Sequence, residues 1–471
     1  MVVKHSSSDN DELCFLGASE ALSLFKSREL SPVELLDAYI AKAAVSEPTI
    51  NAFSADRFEQ AWESAREAEN IYINNPDSAG SLCGICVAVK DEMTIEGEIT
   101  SEGSLLSKDN IGTSTHPMVE RLLSAGAIVH ARTTVPEFSS AVFTRNKLNG
   151  VTTNPWNTDY SPGGSSGGSA ASLAAGTSAL ATGSDIAGSI RVPASLCGLV
   201  GLKPSYGRVP ESDPFYSLDT YNHNGPMARS VEDCALMFNI INGPHPADLA
   251  SIRPKLEVPA EFDDIKGIRI ACSMNLGFFD IDEEVFANTF SLCETLKTLG
   301  AIVEDIDISW DARLRDAARA HFGFRMGRDI AKNLSSHRSE MNDYCIELAE
   351  IGLSVEPENY LDSISRAGQM YKPLGSSLEY YDALICPTLA TTGWPASGKP
   401  AAFELIMQEC MTWPFNMLSR CPVLSVPSGF ASNGLPTGVQ IVGKSYDDLS
   451  VLRIGAKLQS ALQWQKRHPQ L

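Results

Sequence analysis

The tract formed by residues 160–202 limits the possible folds more than any other part of the sequence. It is rich in serine and glycine, and Asp185 and Arg191 are its only acidic and basic side chains. Gly-Ser runs are often flexible linkers, but small and apolar residues follow here at 170–181 and 196–202. Such runs indicate a buried tract, in which glycines allow backbones to approach closely. Many hydroxyl groups near many backbone N–H groups favour a site that stabilises developing negative charge.

The composition is that of a globular chain with an ample core. Of the 471 residues, 43% are hydrophobic and 20% are charged, and the formal net charge is −21. This acidic excess argues against a nucleic-acid partner, because such a partner requires a basic surface. No apolar run reaches the roughly 18 residues that span a bilayer, and the N-terminus lacks a signal-peptide pattern. We therefore expect a cytoplasmic protein without membrane contact.

Cys83 and Cys86 form the only CxxC pair among eleven scattered cysteines. A structural zinc site would need a second such pair. Both residues lie inside the apolar run 82–89, which favours buried thiols over a redox pair. We predict neither a metal site nor a cofactor.

Buried strands and amphipathic helices alternate along the chain, which favours one large α/β domain. At residues 31–34 a capping box is combined with proline at the first helical position. The predicted strands are 85–89, 127–131, 268–272, 301–308, 384–386, 423–426 and 439–442. The predicted helices are 18–26, a helix from 32 onward, 55–72, 117–125, 230–241, 283–299, 311–332 and 449–462.

The domain organisation predicted from this pattern has two parts. Residues 1–75 are expected to form a helical segment packed on the core, and a turn-rich stretch at 74–81 follows it. Residues 76–471 are expected to form the α/β domain, since no internal repeat and no further linker interrupts them.

The run GGSSGG at 163–168 formally matches the G-x-S-x-G nucleophile elbow. That motif requires a strand directly before it and a histidine later in the chain. Residues 157–162 do not form a strand pattern, and no histidine has motif-like surroundings. The tract also lacks the lysine of a phosphate-binding loop, so neither interpretation is favoured.

A second serine cluster, at 184–191, has the features of a nucleophile site. Ser189 would lie beside the backbone N–H groups of Ile186, Ala187, Gly188 and Ser189 itself, and such a nest can stabilise an oxyanion. A nucleophilic serine also needs a base. The remaining candidate is Lys90, at the end of a predicted buried strand. A lysine there is usually solvated, but burial would lower its pKa and make it a usable base.

Together these motifs resemble the amidase signature family. The family pattern is a buried strand ending in Lys-Asp, then Gly-Gly-Ser-Ser-Gly-Gly-Ser, Gly-Thr-Asp-x-Gly-Gly-Ser-x-Arg-x-Pro-Ala and Cys-Gly-x-x-Gly-x-Lys-Pro. Here the four motifs stand at 89–91, 163–169, 183–194 and 197–204. The resemblance extends from about residue 31 to the end of the chain. It implies a single α/β domain with a central mixed sheet flanked by helices.

The resemblance also implies a Ser-cisSer-Lys triad, with Ser189 as nucleophile, Ser165 as bridging serine after a cis peptide bond and Lys90 as base. The implied activity is hydrolysis of a linear carboxamide through an acyl-enzyme, releasing ammonia or an amine. Residues 186–189 would form the oxyanion hole. The loop would be supported by Ser166, Asp185 and Arg191.

The substrate pocket is expected from the same resemblance at residues 137–144 and at the helix around 321–326. Phe138, Ser139, Phe143 and Phe322 are the candidate lining residues, and they would favour an apolar or aromatic group. The alternative for each aromatic side chain is a place in the core. A small-molecule amide is the expected partner, and a homodimer is compatible with this interpretation.

One departure from the family pattern falls in the oxyanion loop, where Ala187 replaces a glycine. A positive φ at this position would cost stability, or the methyl group would narrow the pocket. Two other functions share the motifs: the glutaminase subunit of a tRNA-dependent amidotransferase, and an inactive scaffold. The scaffold interpretation predicts a lost triad residue, whereas Lys90, Ser165 and Ser189 are all present.

Overall fold

A computed structural model of the chain describes residues 7–398 and 402–471. The helices are α1 (Ser7–Cys14), α2 (Ala18–Ser27), α3 (Pro32–Ile50), α4 (Phe58–Asn74), α5 (Pro117–Ser124), α6 (Gly167–Ala175), α7 (Arg191–Leu196), α8 (Val231–Ile241), α9 (Glu283–Thr298), α10 (Leu314–Phe322), α11 (Arg328–Ala331), α12 (Leu334–His337), α13 (Asp343–Ser354), α14 (Pro357–Tyr380), α15 (Ala402–Glu409), α16 (Pro414–Met417) and α17 (Asp448–Leu462). A π-helix, Gly323–Gly327, joins α10 to α11.

The strands are β1 (Phe53–Asp56), β2 (Cys86–Lys90), β3 (Ile128–Thr133), β4 (Arg145–Asn146), β5 (Gly150–Val151), β6 (Leu180–Ser184), β7 (Val200–Lys203), β8 (Asn224–Ala228), β9 (Arg269–Cys272), β10 (Ile302–Asp305), β11 (Ala383–Pro387), β12 (Val423–Phe430) and β13 (Pro436–Gly443). Eleven of them form one sheet in the order β1-β3-β2-β6-β8-β7-β12-β13-β11-β9-β10, and β4 pairs with β5. The pairs β2–β3, β2–β6, β9–β10 and β9–β11 are parallel and the others are antiparallel. The predicted α/β domain with a central mixed sheet is therefore confirmed.

The sheet is buried on both faces, because successive strand side chains point to opposite sides. On β11, Ile385 belongs to an apolar cluster that includes residues of α3, α8 and α17, whereas Leu384 belongs to a cluster with residues of α10, α13 and α14. On β13, Ile441 and Val442 divide in the same way. Helix α7 packs against β7, β12 and β13, so the serine-rich tract lies directly against the middle of the sheet.

The start of α3 has the predicted capping box. The Ser31 side chain accepts a hydrogen bond from the backbone of Glu34, and the Glu34 carboxylate accepts one from the backbone of Ser31. Cys83 and Cys86 are both buried and free, which confirms their interpretation as buried thiols. Within the described residues, no helix has both the length and the apolar character needed to cross a membrane.

Three predicted elements were wrong in their bounds. The helix placed at 55–72 begins at Phe58, and β1 precedes it and pairs antiparallel with β3. A four-residue strand whose last two side chains are exposed is too short to give a period-two pattern. The strand placed at 301–308 covers only β10, and the helix placed at 311–332 contains the π-helix between α10 and α11.

Candidate active site

Lys90 ends strand β2, which lies between β3 and β6 in the sheet, and is fully buried. Its Nζ lies 2.8 Å from Ser165 Oγ, 2.7 Å from Ser184 Oγ and 2.9 Å from Glu92 Oε2. Burial lowers the pKa of Lys90, and the Glu92 carboxylate partly opposes that shift. A neutral amine has two N–H donors and one lone pair. As an ammonium, Lys90 donates to all three neighbours. In the neutral form one donor is replaced by the lone pair, which can accept the Ser165 hydroxyl proton.

Ser165 lies two residues before the first residue of α6, and the peptide bond between Gly164 and Ser165 is cis. The glycines that follow are required by close packing. A Cβ on Gly167 would meet Thr144 Oγ1 at 2.1 Å, and one on Gly168 would meet the Thr134 backbone nitrogen at 2.5 Å. The backbone of this tract can therefore approach its neighbours only without side chains.

The serine hydroxyls of the tract form hydrogen bonds with neighbouring hydroxyls and with the buried backbone around them. Ser169 Oγ donates to the Thr182 carbonyl at 2.8 Å and shares a hydrogen bond with Thr133 Oγ1, also at 2.8 Å. Ser166 donates to the Ser184 carbonyl at 3.4 Å. Buried polar groups need such partners, so the serine content reflects a packed polar core between α6 and β6.

Asp185 and Arg191 form a fully buried ion pair that fixes the loop after β6. Arg191 Nη2 and Nε donate to the two Asp185 oxygens at 2.8 and 2.9 Å. Burial alone would raise the pKa of Asp185, but the Arg191 guanidinium and the Asn416 amide outweigh it and hold the pKa well below its usual value. Asp185 also accepts from the backbone N–H of Gly188 at 2.8 Å. The ion pair thus holds the backbone that leads to Ser189.

Sequence reasoning missed the residues that complete this support. Arg191 also donates to Gln440 Oε1 at 2.6 Å, to Asn416 Oδ1 at 2.7 Å and to the Thr412 carbonyl at 3.0 Å. All three come from a part of the chain more than 200 residues away. Gln440 falls in a C-terminal segment that resembles the family, whereas nothing local marks Asn416 or Thr412.

Ser189 is 8% exposed and follows the loop that Asp185 holds. Its hydroxyl forms no hydrogen bond within the described residues, and its carbonyl accepts from the Ser166 backbone at 3.2 Å. Of the four backbone N–H groups expected to bind an oxyanion, the Gly188 N–H is already bonded to Asp185. Those of Ile186, Ala187 and Ser189 have no partner among the described residues, so three donors remain available.

The position in this loop that requires glycine is Gly188 rather than Ala187. Gly188 has φ 123°, and a Cβ there would meet Thr412 Oγ1 at 2.1 Å. Ala187 lies outside the left-handed region. The cost of a positive φ therefore does not apply to Ala187.

We predict effects of very different size for substitutions at these neighbouring positions. Gly188→Ala should destabilise the protein by about 2 kcal/mol or more, through overpacking and an unfavourable φ, and should reduce kcat/KM. Ala187→Gly should cost less than about 1 kcal/mol and change kcat/KM by only a few-fold. Thermal unfolding and hydrolysis rates of the two variants test this pair. A larger effect of Ala187→Gly would show that the methyl group shapes the site.

Ser165, Ser184, Ile186 and Ser189 line one cavity of about 290 Å³. Phe138 and Ser139 also line it, as predicted for substrate contacts. The other described lining residues are Glu92, Met93, Thr94, Glu102, Thr113, Ser114, His116, Glu211, Ser212, Asp213, Pro214, Tyr216, Asn222, Asn224 and Met326.

Two of the expected pocket residues lie elsewhere. Phe143 is buried and packs edge-on against Tyr344, and Phe322 is buried and packs against Tyr221. Both are core residues outside the cavity lining, so their assignment to the pocket was wrong. Met326, in the π-helix after Phe322, reaches the cavity instead.

Comparison with known proteins gives one consistent result. The family model described as Amidase matches residues 34–452. An acylamidase of Rhodococcus erythropolis is 33% identical over 468 residues, covering 97% of this chain and 98% of the relative. One subunit of the glutamyl-tRNA(Gln) amidotransferase of Halothermothrix orenii is 31% identical over 486 residues, covering 98% and 100%. The crystal structure of a bacterial aryl acylamidase of the amidase signature family superposes with a TM-score of 0.89 at 26% identity, covering 96% and 97%.

Proposed function

Since the chain belongs to the amidase signature family and is a hydrolase of carbon–nitrogen amide bonds, we propose that it cleaves a linear carboxamide through an acyl-enzyme on Ser189. The observation that carries this proposal is the 2.8 Å contact between the buried Lys90 Nζ and Ser165 Oγ. Ser189 lines the same cavity and its hydroxyl is free to react. Labelling of Ser189 by a serine-directed sulfonyl fluoride tests the proposal.

The proposed reaction begins with proton transfer. Neutral Lys90 takes the proton of Ser165. Once bound substrate brings the two hydroxyls within hydrogen-bond distance, Ser165 takes the proton of Ser189 as Ser189 Oγ attacks the amide carbonyl carbon. The N–H groups of Ile186, Ala187 and Ser189 bind the oxyanion. The proton returns through the same relay to the leaving nitrogen, and the carbon–nitrogen bond breaks. Water then attacks the acyl-enzyme by the same route and releases the acid.

This mechanism requires the neutral form of Lys90, so kcat/KM should fall as the pH drops through the pKa of Lys90. Glu92 stabilises the ammonium form and thereby raises that pKa. We predict that Glu92→Gln moves the acid limb of the pH profile to lower pH by about one unit or more. The profile of kcat/KM reports the free enzyme. Glu63→Gln, which removes an exposed carboxylate on α4, is the matched control. An acid limb at an unchanged pH would show that Glu92 does not influence the pKa of the catalytic base.

The second candidate is the glutaminase subunit of a tRNA-dependent amidotransferase, which the 31% identity to the amidotransferase relative supports. Glutamine carries a carboxylate as well as an ammonium group, and the carboxylate is best held by arginine or lysine. The described residues that line the cavity include neither, which favours the amidase. Hydrolysis of glutamine together with co-purification of a second subunit would favour the amidotransferase subunit over the amidase.

A further inference from the structure

The cavity beside Ser189 is acidic. Among its described lining residues are the carboxylates of Glu92, Glu102, Glu211 and Asp213, and no lysine or arginine. Three of the four have internal partners, and that of Asp213 is the backbone N–H of Phe215, which donates to Oδ1 at 2.7 Å. Glu92 contacts Lys90 at 2.9 Å, so the charge of Glu92 is only partly balanced, and no longer balanced at all once Lys90 is neutral.

The charge of the Glu211 carboxylate is compensated by partners within the fold. Its carboxylate lies 3.2 Å from His116 Nε2 and accepts from the amides of Asn222 at 3.1 Å and Asn224 at 3.0 Å. Burial alone would raise the pKa of Glu211, but His116 and these donors lower it to about 2. Glu211 is therefore ionised and compensated within the fold.

The carboxylate of Glu102 has no comparable partners within the fold. Its backbone is fixed by hydrogen bonds to the Asp91 carbonyl at 3.0 Å and from the Phe138 N–H at 2.8 Å. Its carboxylate has no hydrogen bond or ion pair with any described residue. Burial and the neighbouring carboxylates of Glu92 and Asp213 raise the pKa of Glu102 to about 7. A carboxylate held in this way at the wall of a cavity lacks a cation.

An independent observation points to a ligand in the same cavity. The Ser189 hydroxyl belongs to a residue that is more than nine-tenths buried, is unpartnered within the described chain and faces this space. At about 290 Å³ the cavity is small, so a molecule whose carbonyl reaches Ser189 also lies along the acidic wall.

We propose that Glu102, assisted by Glu92 and Asp213, binds a protonated amine of the substrate, so that the preferred substrates are amides that carry an ammonium group. This inference rests on the proposed function of the Ser189 site. The ammonium group would supply the missing positive charge, and charge pairs in a partly buried site are stronger than at the surface. An anionic amide would meet several like charges without a compensating cation.

Three amides of equal length test the preference: 5-aminopentanamide, hexanamide and glutaramate, which end in ammonium, methyl and carboxylate groups. We expect kcat/KM for the ammonium amide to exceed that for hexanamide by about tenfold to a hundredfold, and glutaramate to be the poorest. Added sodium chloride should reduce the difference by screening. Glu102→Gln and Asp213→Asn should each lower the ratio, whereas Glu63→Gln, with the same loss of net charge, should not.

Binding to the Ser189→Ala protein gives a readout that does not depend on hydrolysis. Calorimetry should show binding of pentylammonium chloride and at least tenfold weaker binding of 1-pentanol, and Glu102→Gln should abolish that difference with an unchanged melting temperature. Equal binding of the two probes, or an undiminished difference in both Glu102→Gln and Asp213→Asn, overturns the inference. If none of the amides is hydrolysed while pentylammonium binds as expected, the proposed function fails and the cation site stands.

Discussion

Replacement of Ser189 by alanine is expected to lower kcat for amide hydrolysis by a factor on the order of 10⁶, as for removal of a serine nucleophile in general. Without Oγ no acyl-enzyme forms, and the three free N–H groups of the loop can only polarise a bound carbonyl. The fold should be unaffected, because the Ser189 hydroxyl has no partner among the described residues. Turnover and intact mass after treatment with a sulfonyl fluoride measure the effect.

The matched control is Ser172→Ala, which removes another buried serine of the same tract. Ser172 Oγ contacts Thr177 Oγ1 at 2.8 Å, and Ser172 does not line the cavity beside Ser189. This variant should still form one adduct, and that adduct should map to Ser189. Turnover or labelling that survives in Ser189→Ala would place the nucleophile elsewhere and contradict the mechanism.

The positions of Lys90, Ser165 and Ser189 could be predicted because short, continuous motifs carry them. Lys90 ends an apolar run of strand length, and the sheet then brings this strand end beside the start of α6 and the end of β6. The residue type and the local pattern were enough to name the base. Its three contacts come from separate segments and became visible only with the fold.

The support of the loop and the character of the cavity were beyond sequence reasoning. Asn416 and Thr412 meet Arg191 only through the packing of distant segments. Glu102 stands in a polar stretch without periodicity, where a carboxylate is normally solvated. Aromatic composition also misled the pocket assignment, since a phenylalanine near a site can face either the cavity or the core, as Phe138 and Phe143 do.

Lys90→Met is expected to lower kcat by about 10³- to 10⁴-fold, the upper range of general-base catalysis. Methionine has a similar length and cannot take the proton of Ser165. Burial already disfavours a charged group at this position, and the Glu92 side chain left without its cation is 20% exposed. The loss of stability should therefore stay below the roughly 3–5 kcal/mol typical of a broken, fully buried ion pair. Single-turnover kinetics should show the loss in acylation, and labelling of Ser189 should slow in parallel.

Lys203 provides the control for a buried lysine without a catalytic role. It is also fully buried, burial lowers its pKa to about 7, and its Nζ donates to the Cys421 carbonyl at 2.9 Å and the Pro204 carbonyl at 3.2 Å. Lys203→Met leaves those carbonyls unpaired and should cost about 1–3 kcal/mol of stability, while activity per folded molecule stays within about tenfold of the parent protein. Lys90→Met should lose far more activity than stability, because Ser165, one of the contacts of Lys90, is a reacting group. Similar losses of stability in the two variants, with acylation by Lys90→Met intact, would assign Lys90 to the fold and require another base for Ser165.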